Sequence, residues 1–323
     1  MNPILQTIKA ANRILVTTHT DPDGDAVGSM LAMALALERL GKQTIMYNES
    51  PIPAVYQFLP AVGRIGRQLE PVDAVDAVVV LDCGDLSRIG SAAHRIRRMA
   101  AVLNIDHHVS NNGFGSHCLI DGQACATAEI VYRLIRALEI PLNKAIATCI
   151  YTGILTDTGS FRFSNTNAAA FAISRDLMHA GVDPYEVAQR VFGSYSLGRI
   201  KLLNLALNSI EISPNGKLSL MTVTRAMLEE TRTQQEDVDG LINYARRIED
   251  VRVAALIQEQ TNGLTTAAGC ARLHVSLRSD GSVDVAALAG TFGGGGHRSA
   301  AGFQTESPLA NIKSELLKWT EGI

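Results

Sequence analysis

The sequence predicts an α/β protein: a mostly parallel sheet covered by helices on both faces, followed across a helical linker by a smaller α+β domain. Three observations lead there. Short, apolar, β-branched runs alternate with helical stretches in the first half of the chain. Carboxylates and histidines fall directly after those runs, where open parallel sheets gather their ligands. The pattern changes after about residue 190, where a long helical stretch leads into alternating, turn-separated strands.

The elements run in order. Ile14 to Thr18 reads as a buried strand, and Val27 to Leu40, rich in Ala, Leu and Met and closed by Gly41, as a helix. Thr44 to Tyr47, Ala77 to Leu81 and Val102 to Ile105 supply three further strands, and Cys125 to Leu138 and Asn143 to Leu155 two further helices. Ser196 to Ile210 is helical and reads as the connector. Asn215-Gly216, between two alternating runs, signals a hairpin into Leu218 to Val223. Strands near Val251 to Gln258 and Arg272 to Leu277 complete the smaller domain. The expected boundaries are 1–190 for the first domain, 191–212 for the linker and 213–323 for the second domain.

Composition narrows the function. The chain of 323 residues is long enough for two cores. Hydrophobic residues make up 46% and mean hydropathy is +0.10, as in ordinary globular proteins. A formal net charge of −3 argues against a long duplex held by charge, though not against a short nucleotide. No apolar run has the ~18–20 residues of a membrane span. No basic region followed by an apolar stretch opens the chain, so no signal peptide is expected. The five cysteines, Cys83, Cys118, Cys125, Cys149 and Cys270, form no C-x-x-C pair and read as buried free thiols of a cytoplasmic protein.

Four segments carry chemistry. The first, His19-Thr20-Asp21-Pro22-Asp23-Gly24-Asp25, lies between the first strand and the first helix. So many acidic and imidazole groups in seven residues would repel one another without a cation among them. A helix-capping Asp would account for part of the segment equally well. The second is Asp82, directly after the third strand, with Asp85 the better candidate to cap the next helix. The third is Asp106-His107-His108, again at a strand end, where adjacent histidines can take separate roles. The fourth runs from Tyr151 to Phe163, with Asp157 closing an apolar helix and Arg162 five residues on. Together they offer hard oxygen and imidazole donors without sulfur, a set that suits Mn²⁺ well and Mg²⁺ or Zn²⁺ less clearly. The donors exceed what one ion needs, so two ions sharing a carboxylate use them more naturally.

These segments, in this order, resemble the four motifs of the DHH phosphoesterase superfamily, which includes RecJ-type exonucleases, family II pyrophosphatases and the nanoRNase/pAp-phosphatase group. The resemblance implies that His19, Asp23 and Asp82 hold one manganese and that Asp25, Asp82, His107 and Asp157 hold the other. It also implies that Asp106 orients the histidines, that His108 faces the substrate phosphate, and that Arg162 assists there.

Near the C-terminus, Ser276, Arg278 and the run Gly293-Gly294-Gly295-Gly296-His297-Arg298 resemble a DHHA1 substrate-binding domain. Four glycines in a loop would let backbone N–H groups approach an anion, with His297, Arg278 and Arg298 adding cationic donors. Family II pyrophosphatases end differently. In length, with little beyond the two domains, the chain resembles the nanoRNase group, which implies short oligoribonucleotides and pAp as substrates, with cyclic or linear dinucleotides as the alternative. Closure between the two domains would exclude water. A non-catalytic nucleotide sensor on the same fold is the rival of another class. A dinucleotide oxidoreductase is disfavoured because no G-x-G-x-x-G follows the first strand. A homodimer is suggested by the resemblance alone.

Overall fold

The computed structural model describes residues 1–69, 75–99, 101–193, 195–260 and 272–322. The chain divides into two compact units, Met1–Ser194 and Tyr195–Ile323.

The first unit is built on a five-stranded, wholly parallel sheet. After α1 (Asn2–Ala10) come β1 (Arg13–Thr17), α2 (Gly24–Arg39), β2 (Gln43–Tyr47), β3 (Ala77–Leu81), α3 (Ala93–Ile96), β4 (Val102–Asp106) and β5 (His117–Ile120). Four helices come next in sequence: α4 (Thr127–Ala137), α5 (Lys144–Asp157), α6 (Ala168–His179) and α7 (Pro184–Phe192). The strand order is β2-β1-β3-β4-β5. The chain thus steps to one side of β1 and then crosses to the other, which makes the β1/β3 boundary the topological switch point.

Alternation along the strands divides the core. Ile14 and Val16 of β1 with Val79 and Leu81 of β3 pack against α2, α4 and α5. Leu15, Val78 and Val80 face Leu86, Ile89 and Ile96 on the other side. The sheet is covered on both faces as expected, but the second face carries a 3-10 turn (Leu86–Ile89) and the short α3 rather than long helices. The expected strands and helices of this unit all form. β5 is additional to the strands expected from the sequence. Its residues alternate half-buried and exposed at the sheet edge, a weaker apolar signal than a central strand gives.

The closest packing in the unit is between α2 and α5, where glycines let the two backbones meet. A Cβ on Gly28 would lie 2.4 Å from the Cys149 carbonyl oxygen, and one on Gly153 2.8 Å from Asp25 Oδ1. The crossing fixes α2, which carries Asp23 and Asp25 at its start, against α5, which carries Asp157 at its end.

The second unit opens with α8 (Leu197–Asn208), followed by β6 (Glu211–Ile212), β7 (Leu218–Val223), α9 (Arg225–Thr231), α10 (Ile242–Arg246), β8 (Val253–Glu259), β9 (Leu273–Ser279), α11 (Val285–Thr291), β10 (Gly295–His297), β11 (Ala300–Thr305) and α12 (Leu309–Thr320). Its six strands form one mixed sheet in the order β10-β11-β9-β8-β7-β6. The hairpin forms between β6 and β7, with Gly216 at φ 72° in the turn. The stretch expected as a connector is α8, and its buried Leu202 and Ala206 join Met221, Val223 and Leu256 in a core of this unit. The other core, Leu273, Val275, Leu277, Ala301 and Phe303, lies under α11 and α12.

Two sequence expectations change here. The glycine run is no open loop: Gly295 and Gly296 lie in the edge strand β10. A Cβ on Gly294 would meet the Gly302 carbonyl oxygen at 2.2 Å, and one on Gly296 would meet that of Ala300 at 2.5 Å. Strand packing therefore requires at least these two glycines. Among the cysteines, Cys83, Cys125 and Cys149 are buried free thiols, but Cys118 is free and exposed on the edge strand β5. Cys270 lies outside the described residues. Among the described residues no helix is long and apolar enough to cross a membrane.

Candidate metal centre

Three of the four segments converge at the carboxyl ends of β1, β3 and β4. The fourth arrives at the same place from the end of α5. Two sets, His19–Asp23–Asp82 and Asp25–His107–Asp157, each bring their ligand atoms within 4.8 Å of one another, and a third, Asp82–His107–His108, shares Asp82 with the first and His107 with the second.

Asp82 stands between the sets. β3 runs straight to Leu81, and the backbone then turns through φ 53° at Asp82, a left-handed conformation that aspartate tolerates better than most residues. The carboxylate is 2% exposed. Its Oδ2 lies 3.6 Å from His19 Nε2, and its Oδ1 lies 3.8 Å from His107 Nε2. One carboxylate thus presents one oxygen to each side. Burial alone would push its pKa up, but the three histidines around it hold the group below the ordinary carboxylate range.

The histidines are held by their other ring nitrogens. His19 Nδ1 donates to the Thr20 carbonyl at 2.7 Å, and His107 Nδ1 lies 3.4 Å from the Ala124 carbonyl, so Nε2 of each faces the carboxylates. His108 differs. Its Nδ1 lies 2.7 Å from Asp106 Oδ1, which also accepts from the His107 and His108 backbone N–H groups. Asp106 Oδ2 accepts from Asn111. Both Asp106 oxygens are engaged and the carboxylate is fully buried, an arrangement that holds the His108 ring in place.

Asp23 is both the expected cap and a member of the cluster. It is the N-cap of α2, with Oδ1 accepting from the Asp25 and Ala26 backbone N–H groups. Asp25 caps a different helix. The N-cap of α4, Ala126, has no side chain to offer, and Asp25 instead accepts from Thr127 N at 2.6 Å and Ala128 N at 2.9 Å. Asp85 caps the 3-10 turn after β3, as the sequence suggests.

Burial and mutual repulsion push Asp25 and Asp157 well above the ordinary carboxylate pKa of 3.8. Asp157 also closes α5, the helix end where carbonyl dipoles disfavour an anion. Crowded carboxylates of this kind call for a divalent cation. The nearby thiols do not compete: burial pushes Cys83 up to about 12 and raises Cys125 strongly, leaving both protonated. The donor set is oxygen and imidazole, and it fits divalent metal ions.

These environments give the metal-free protein a pH dependence. Burial lowers His19 and His108, but Asp82 raises the first, and Asp106 with Asp82 lifts the second to about 9. Asp25 and Asp157 are raised too. A group whose folded pKa is raised holds its proton more tightly when folded, so its stabilisation is lost as pH rises. The chelator-stripped protein should therefore melt at progressively lower temperature from about pH 6 to about pH 9. Saturating Mn²⁺ should offset the loss, because metal binding strengthens as these groups deprotonate. A melting temperature that is level or rising over this range without metal would contradict the assigned environments.

Of the remaining expected residues, Arg162 is exposed and its Nε donates to the Gly159 carbonyl at 2.6 Å, folded over its own turn. Among the described residues it pairs with no carboxylate, so it does not join the cluster. In the second unit, strand register places Arg278 beside Ala300 and His297, and Ser276 beside Gly302 and Gly295. Directly paired residues share a sheet face, so these side chains lie opposite the core face of Val275 and Leu277. Arg278 is half-buried, and burial lowers its pKa. Arg298 lies in the exposed turn between β10 and β11.

Sequence reasoning misses Thr127, Asn165 and Arg88. Thr127 Oγ1 donates to Asp82 Oδ1 at 2.9 Å. Asn165 Nδ2 donates to Asp157 Oδ2 at 3.0 Å and to the Cys125 carbonyl at 2.8 Å. Arg88 accepts the Thr20 N–H through its carbonyl, and its charge acts on His19 and His108. No local pattern marks the first two: Thr127 bonds Asp82 45 residues away, and Asn165 bridges Asp157 to Cys125, 40 residues before it. Arg88, six residues after Asp82, is visible in the sequence as a cation near a strand end.

Residues 13–154 match the model of the DHH family, N-terminal domain, and residues 220–321 match that of the DHHA1 domain. The chain is 33% identical over 304 residues to the bifunctional oligoribonuclease and PAP phosphatase NrnA of Thermus thermophilus, covering 94% of this chain and 87% of that one. The chain belongs to the DHH family. This DHH phosphoesterase is also 26% identical to the Bacillus subtilis protein of the same description, over 93% of this chain and 91% of that one. Its fold matches the crystal structure of an exopolyphosphatase-related protein from Bacteroides fragilis with a TM-score of 0.89 at 25% identity, covering 98% and 95% of the two chains.

Proposed function

We propose that this DHH phosphoesterase hydrolyses short oligoribonucleotides and removes the 3′-phosphate of pAp in the cytoplasm, with two Mn²⁺ ions as cofactors. The observation that carries the substrate class is the near-full-length similarity to a protein described as an oligoribonuclease and PAP phosphatase. The two-ion reading is supported by the split of Asp82, whose oxygens face separate histidines.

In this reading His19, Asp23 and Asp82 hold one ion, and Asp25, Asp82, His107 and Asp157 hold the other. Such a pair supplies water activation and neutralises charge on the phosphoryl oxygens. The chain's own groups do the rest. Asp106 fixes the ring of His108, which carries its proton to a phosphate oxygen as a charged donor. Arg88 adds positive charge at the same rim. Arg162, held to the Gly159 carbonyl through Nε, offers a phosphate its two terminal guanidinium nitrogens. Recognition of the nucleotide is assigned to Arg278, Ser276, His297 and Arg298 with the backbone of Gly294, Gly295 and Gly296. Arginine suits phosphate through its planar, paired donors.

Turnover tests the reading. The protein is stripped with chelator, reloaded with Mn²⁺, and offered pAp, a short RNA, a linear dinucleotide, a cyclic dinucleotide and pyrophosphate. Hydrolysis of pAp and short RNA, with pyrophosphate untouched, is expected. Cleavage of the cyclic dinucleotide alone would replace this reading with a signalling phosphodiesterase. Nucleotide binding without any turnover would make the protein a sensor.

A further inference from the structure

We propose that Thr127 is a positioning residue that sets one half of the metal centre independently of the other, through its hydroxyl on the shared carboxylate of Asp82. The inference rests on the two-ion reading and concerns how the chain holds its ligands.

Thr127 is fully buried at the first position of α4. Its backbone N–H goes to Asp25 Oδ2 and its Oγ1 to Asp82 Oδ1. That oxygen is the one facing His107; the oxygen facing His19 is Oδ2. The residues just before Thr127 hold the other ligands on the same side. The Ala124 carbonyl lies at His107 Nδ1, and the Cys125 carbonyl accepts from Asn165, which also donates to Asp157. Asp25, Asp82, His107 and Asp157 are therefore all supported from the segment 124–128, directly or through Asn165.

His19 and Asp23 have other supports. His19 donates to the Thr20 carbonyl, and Asp23 accepts from the first turn of α2. The two clusters share Asp82 and touch again where the Asp25 N–H donates to Asp23 Oδ1, but none of the supports of His19 and Asp23 comes from the segment 124–128. Losing one outer-shell hydrogen bond commonly costs about 10–100-fold in metal affinity. Loss of the Thr127 hydroxyl falls chiefly on the Asp25 cluster, because Thr127 bonds the Asp82 oxygen turned to His107 and not the one turned to His19.

Thr127→Val removes the hydroxyl while keeping the shape and the backbone N–H that serves Asp25. Mn²⁺ is titrated into the stripped full-length protein by calorimetry, and paramagnetic resonance reports whether two ions sit close enough to couple. Wild type should bind two ions. Thr127→Val should keep one at unchanged affinity and weaken the other about 10–100-fold, with Thr127→Ser restoring it. In an Asp23→Asn background, which disables the other cluster, Thr127→Val should weaken the one ion that remains. Asn165→Ala, acting on the same cluster through Asp157, should give the same selective loss and serves if Thr127→Val does not fold. Equal weakening of both ions, or no weakening, in a folded variant would overturn the inference while leaving two-ion binding intact. Fewer than two ions in the wild type would instead sink the two-ion reading on which it stands.

Discussion

Asp82→Asn is expected to lower phosphoester turnover by about three orders of magnitude or more, equivalent to about 4 kcal/mol of barrier, and, in the two-ion reading, to abolish paired Mn²⁺ binding. The asparagine keeps the volume and can still accept from Thr127, so the fold should survive. What it loses is the negative charge and the second anionic oxygen. In the native protein, Oδ2 faces His19 and Oδ1 faces His107, and both sets of donors depend on this one group. An amide offers one weak oxygen ligand and an NH2 group with two donors, which opposes a cation on one side. Circular dichroism should report a native spectrum, and the stabilisation that Mn²⁺ gives wild type on melting should largely vanish. Near-wild-type turnover by folded Asp82→Asn would remove the basis of the shared-carboxylate mechanism.

Gly153→Ala is the second change with a large expected effect, although it touches no substrate. In an exposed helix, alanine for glycine would stabilise by about 1 kcal/mol. Here the new Cβ would lie 2.7 Å from the Ala128 Cβ and 2.8 Å from Asp25 Oδ1. Neither neighbour is a flexible side-chain end. Ala128 is on the first turn of α4, and Asp25 is tied to that turn by two backbone hydrogen bonds. Overpacking of this kind typically costs about 1–3 kcal/mol. The strain falls where α5 meets both the start of α4 and the start of α2, so Asp25 should move away from His107 and Asp157. The melting temperature should drop, and Mn²⁺ affinity should fall by about tenfold or more, in line with a disturbed ligand shell. A variant as stable and as tightly metal-binding as wild type would show that the crossing is looser than the contacts imply.

The positions of the candidate ligands are largely legible in the sequence. His19, Asp82 and Asp106-His107-His108 come after apolar runs that become β1, β3 and β4, and a parallel sheet brings its strand ends to one rim. Asp157 is legible as the end of an apolar helix. Arg162 is not, because sequence spacing cannot show that its side chain folds back onto Gly159. The conformation of the glycine run is not legible for a related reason. Four glycines read as an anion loop, yet at Gly294 and Gly296 the absent side chains make room for β11. Local composition identifies where side chains are missing but not what fills the space.

By itself, then, the sequence determined the α/β architecture, the chemistry of the ligands and their delivery to one sheet edge, because periodicity and strand-end placement are local properties of the chain. Only the tertiary structure decided how those ligands are held. Asp25 caps a helix that begins 102 residues later, and Thr127 reaches Asp82 across 45 residues. Asn165 joins Asp157 to the segment before α4. Such bonds depend on which elements the packed core places side by side, and glycines at the α2–α5 crossing allow that approach. No spacing along the chain encodes them, since each partner taken alone is an ordinary polar residue.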